Sequence, residues 1–74
     1  MNINQVNSFR IFAFETKLWS HYTRDLNGQF NYRQQTQDGK VLHNFPIIES
    51  TAELCLNNAL GLRDLCSVEI ERNS

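Results

Sequence analysis

This 74-residue chain has two histidines and two cysteines, residues able to ligate metals or take part in nucleophilic catalysis: His21, His43, Cys55 and Cys66. Two imidazoles and two thiolates make a common zinc set, and a Cys–His pair makes a nucleophile with its base. Their spacing suits neither role. Structural zinc sites pair their ligands in short Cys-x-x-Cys or His-x-x-x-His knuckles, and this chain has none. Both cysteines fall on inward faces of amphipathic segments, where a thiol behaves as a small hydrophobe. An activated thiolate needs a partly exposed, electropositive setting instead. Glu69 and Glu71 share one face of a strand at i,i+2, a pattern that a solvated sheet surface explains. The residues therefore predict no enzyme, no metal and no cofactor.

The elements around these residues are clearly punctuated. Residues 1–7 are polar with scattered apolar positions and read as a loose arm, as do residues 72–74 at the other end. Residues 8–15 are aromatic and β-branched and read as strand, although Ile11, Phe14, Leu18 and Tyr22 would also suit one helix face. A strand over 17–25 then runs into a turn at Asn27-Gly28. The loop there has either two residues, or three with Gly28 left-handed. The choice decides which of Trp19 and Tyr22 faces inward.

A two-residue turn at Asp38-Gly39 pairs Gln37 with Lys40. It sets Tyr32 opposite Phe45 and Phe30 opposite Ile47. Phe30, Tyr32, Val41, Phe45 and Ile47 then share one face, and Asn31, Arg33, Gln35 and Asn44 share the other. Pro46 cannot donate to a ladder, which puts its strand at an edge. Ser50 with Glu53 forms a capping box for a helix over about 51–60. Its apolar stripe is Ala52, Cys55, Leu56, Ala59 and Leu60, and Gly61 stands where a left-handed C-cap belongs. A last strand over 65–71 points Cys66, Val68 and Ile70 inward. The predicted fold class is α+β: a single domain with a three- to five-stranded, mainly antiparallel sheet, one helix on one face, and the order (β)βββαβ.

Composition narrows the function. Seven Lys and Arg against eight Asp and Glu give a net charge of −1, without the basic excess that phosphate neutralisation calls for. No apolar run approaches transmembrane length and the N-terminus lacks signal-peptide character, so the expectation is a cytoplasmic protein with no membrane contact. Between Tyr22 and Leu60 the chain resembles the small YegP-like repeat family. The matching positions are Tyr22, Asp25, Gly28, Phe30, Tyr32, Gly39, Val41 and the helix from Thr51 to Leu60. The chain departs from that family at Asn44-Phe45-Pro46-Ile47. The resemblance implies a dimerising fold with no assigned activity.

The expected function is binding, through a protein partner or self-association. In size and style the chain resembles the small inhibitors that phages and mobile elements carry, anti-CRISPR proteins among them. Trp19, Tyr22, Arg24, Arg33 and Asn44 are the expected partner-binding residues. The alternative is a nucleic-acid-binding module that stacks bases on sheet aromatics beside Arg24 and Arg33. The free edge of the last strand is a further place where a second chain could pair.

Overall fold

A computed structural model describes residues 2–73. After a 3₁₀ turn at Ile3–Gln5 come β1 (Val6–Ala13), β2 (Trp19–Arg24), β3 (Phe30–Gln35), β4 (Val41–Ile47), α1 (Glu49–Leu60) and β5 (Cys66–Arg72). The five strands form one antiparallel sheet in the order β4-β3-β2-β1-β5, so the architecture is α+β. α1 carries the chain from one edge of the sheet to the other. Its twelve residues span about 18 Å, close to the roughly 19 Å of four inter-strand spacings.

One face of the sheet packs under α1. Val6, Phe30 and Leu56 are wholly enclosed, with Ile3, Phe9, Tyr22 and Ala52 completing the core. Phe9 and Tyr22 lie opposite each other and stack, ring centroids 4.4 Å apart. The expectation of a loose arm over residues 1–7 is corrected: Ile3 and Val6 are core residues, and Val6 pairs with Arg72. Met1 and Ser74 lie outside the described residues.

The first hairpin has the three-residue loop. Asp25 N–H donates to the Gln29 carbonyl at 2.7 Å, and Gly28 takes φ +82°. Tyr22 therefore faces the core and Trp19 faces away.

The second hairpin corrects the turn but not the pairing. Its loop is Gln37-Asp38-Gly39, closed between Thr36 and Lys40, with Gly39 at φ +92°. A bulge at Leu42 then shifts the register by one. Turn and bulge offset each other, so Tyr32 meets Phe45 and Phe30 meets Ile47 as the sequence predicts. Val41 lies beyond the bulge. It falls opposite Gln35 instead of joining Phe45 and is half exposed.

Both predicted helix caps are corrected as well. α1 starts at Glu49 with Ile48 as an extended N-cap, and no side chain caps it. Ser50 is already in the first turn. Glu49 is held by Arg24, and its carboxylate complements the helix N-terminus there. Gly61 is right-handed at φ −83°. The helix end is closed by Leu62 N–H on the Ala59 carbonyl and by the Cys66 thiol, which donates to the carbonyls of Ala59 and Leu62.

Candidate binding face

The sheet face opposite α1 has no second layer among the described residues. Strand alternation and register assign its side chains to three rows running across the strands. The middle row is Glu69, Arg10, His21, Arg33 and Asn44, one residue from each of β5, β1, β2, β3 and β4. On one side lies Ser67, Phe12, Trp19, Gln35 and Val41. On the other lies Glu71, Ser8, Thr23, Asn31 and Pro46.

These rows interact locally. Phe12 and Trp19 touch at 4.9 Å between centroids, and the Arg10 guanidinium sits 4.6 Å over the Trp19 ring. Trp19 also stacks with His21 at 5.9 Å. Arg10 pairs with Glu69. Asn31 donates to Asn44 at 2.7 Å, and the Glu71 carboxylate accepts from Asn7 and Ser8 at 3.3 and 3.4 Å. Arg33 is exposed and has no ion-pair partner among the described residues. A shallow depression of about 360 Å³ opens between the middle and polar rows, with Ser8, Arg10, His21, Thr23, Glu69 and Glu71 around it.

His21 is the electrostatic centre of the face. Burial pushes its pKa below the usual histidine value, and the flanking Arg33 and Arg10 push it the same way. Its Nε2 is enclosed and has no hydrogen-bond partner among the described residues. Neutral His21 between two guanidiniums makes the middle row positive at its centre and negative at the β5 end.

Of the five expected partner-binding residues, the structure brings Trp19, Arg33 and Asn44 to this face. Tyr22 and Arg24 are corrected. Tyr22 is 6% exposed and lies in the core. Burial raises its phenol pKa above the usual range, and the neighbouring Cys55 thiol acts in the same direction. Arg24 points to the helix side, where it donates to the carbonyls of Ile3, Val6 and Gly28 and to the Glu49 carboxylate. Its guanidinium covers Phe30 at 4.5 Å.

Arg10, Phe12, His21 and Glu69 belong to the face and were not among those expected. The alternation of Ser8, Arg10 and Phe12 against Phe9, Ile11 and Ala13 carries a signal for β1. Phe12 obscures it by placing an aromatic on the outer side.

The candidate metal ligands are dispersed. His43 lies on the helix side, edge-on to Phe45 at 6.5 Å, whereas His21 is on the open face. Cys55 and Cys66 are free thiols, and no group of three His, Cys, Asp or Glu comes together among the described residues. No helix among them is long and apolar enough to cross a membrane.

Comparison with protein-family models, with curated proteins and with solved structures finds no match for this chain.

Proposed function

We propose that this is a non-enzymatic binding protein whose open sheet face docks a protein surface. The observation that carries the reading is the arrangement of Phe12, Trp19 and Arg10 beside Arg33, which has no ion-pair partner among the described residues, on a face that no described element covers. Trp and Arg are the residues most often central to protein contacts, where a rigid ring and a planar cation lose little freedom on docking. None of these side chains belongs to the core on the other face.

The same Trp19 and Arg10 would also suit a stacked nucleobase. Glu69 and Glu71 stand on that face and oppose a phosphate backbone, which favours protein.

The test is capture from a lysate of the cells that make the protein, with the wild type compared with Trp19→Ala and Arg33→Ala. One stoichiometric protein retained by the wild type and lost by both variants is the expected result. Arg33→Ala should leave the melting temperature unchanged, since Arg33 is exposed. Nuclease-sensitive material instead of protein would transfer the face to the nucleic-acid reading. Equal capture by all three proteins would remove the open face from the function.

A further inference from the structure

The open face is complementary to itself. Consider a two-fold axis parallel to the strands that passes between β1 and β2. Rotation about it lays β2 over the partner copy's β1, and β3 over its β5, with each row over the same row. Trp19 then meets Phe12, His21 meets Arg10, Thr23 meets Ser8, Gln35 meets Ser67, Arg33 meets Glu69 and Asn31 meets Glu71, every pairing occurring twice. No other axis along the strands lays Arg33 over Glu69. With the axis on β2, Arg33 falls over Arg10 and Glu69 over Asn44. With the axis on β1, Arg10 and Phe12 each meet their own copies and Arg33 overhangs the sheet.

We infer that a second copy of this chain covers the open face, giving a two-layer sandwich in which Arg33 of each copy pairs with Glu69 of the other and the Trp19 and Phe12 rings cluster about the axis. The inference deepens the proposed protein-docking role of this face and rests on it. Aligned sheets pack about 10 Å apart with strands within about 30° of each other, a geometry this axis permits. Four of the five strands overlap, which covers a patch of roughly 20 by 17 Å per copy at ordinary strand spacings. That is less than half of a standard specific interface, so the association expected is weak and transient, not an obligate dimer.

The sheet edges are poorer places for a second copy. β4 carries Pro46 and the bulge at Leu42, both of which interrupt a regular ladder. β5 carries Glu69 and Glu71, and two-fold pairing about Ile70 would set these like charges against each other.

The experiment is a charge-reversal pair followed by sedimentation equilibrium from micromolar to millimolar protein. Wild type should pass from monomer to dimer over that range. Arg33→Glu alone sets two carboxylates against each other across the interface, and Glu69→Arg alone sets two guanidiniums against each other, so each variant should stay monomeric. Mixed one to one, the two variants regain opposite charges across the interface and should form a heterodimer at least tenfold more tightly than either associates with itself. A wild type that is monomeric at millimolar concentration overturns the inference and leaves capture of a different protein by Trp19 and Arg33 untouched. A dimer unaffected by either reversal overturns it equally. If a reversed variant does not fold, isotope-filtered NOEs between the Trp19 indole of one wild-type copy and the Phe12 ring of the other decide. Their presence supports the sandwich, and their absence in a wild-type dimer refutes it.

Discussion

The Arg24 guanidinium meets the Glu49 carboxylate at 2.6 Å, joining the end of β2 to the first residue of α1. The same guanidinium also holds the carbonyls of Ile3 and Val6, so one side chain fastens the N-terminal turn, the hairpin and the helix. Arg24 is mostly enclosed, with 16% of its side chain exposed, whereas Glu49 retains 40%. Removing Arg24 leaves several carbonyls short of a donor and uncovers Phe30. Arg24→Ala should therefore lower the unfolding free energy by about 2–4 kcal/mol. Arg24→Lys should not restore it, because one ammonium cannot span four acceptors. Glu49→Gln should cost no more than about 1 kcal/mol, since solvent screens the exposed side of the pair. Urea denaturation of the three variants checks the ranking.

Tyr22 should behave as a core residue. Tyr22→Ala removes the stack on Phe9 and should cost about 3–5 kcal/mol, while Tyr22→Phe, which loses only the hydroxyl, should cost about 0.5–1.5 kcal/mol. The phenol is held neutral in the fold but ionises in the unfolded chain near pH 10. Its contribution is thus fully present below about pH 10 and is lost as pH rises beyond it. Denaturation midpoints measured across about pH 8 to 11 should fall at the alkaline end. They should fall less steeply in Tyr22→Phe.

His21 should impose the opposite dependence. Its folded pKa lies below the ordinary 6.5 because burial, Arg33 and Arg10 all disfavour the charged form. The unfolded chain therefore binds the proton first as pH falls. The stability His21 contributes is present above pH 6.5 and declines below it. A histidine resonance titrating below 6.5 that vanishes in His21→Gln would establish the shift. A His21 resonance titrating at or above 6.5 would refute this account of the middle row.

Lys17 takes φ +60° in the β1–β2 loop, the one non-glycine at positive φ among the described residues. A side chain there costs about 1–2 kcal/mol, partly offset by the entropy a glycine would lose. Lys17→Gly should raise stability by about 0.5–1 kcal/mol. Gly28→Ala and Gly39→Ala should each lower it by about 1 kcal/mol. Both have open space for a Cβ, so the loss would come from backbone conformation alone. Thermal melts of the three variants should show one rise and two falls.

Local chemistry alone determined much of this protein. Alternation in Cys66, Val68 and Ile70, glycines at 28 and 39, the helical stripe from Ala52 to Leu60 and the single proline at 46 each act within a few residues. Together they specify strands, turns, helix and an edge strand. The polar face of Asn31, Arg33, Gln35 and Asn44 was legible for the same reason.

Tertiary structure decided what depends on residues far apart in the chain. Whether Trp19 or Tyr22 is buried hung on one residue of loop length, since a side chain changes face with every step along a strand. The helix starts at Glu49, whose carboxylate is held by Arg24, 25 positions earlier. Ile3 and Val6 look like an arm until β5 pairs beside them and Arg24 takes their carbonyls. The row from Glu69 through Arg10, His21 and Arg33 to Asn44 exists only once five separate segments are in register. No local signal encodes it, because its members become neighbours through backbone pairing and not through sequence.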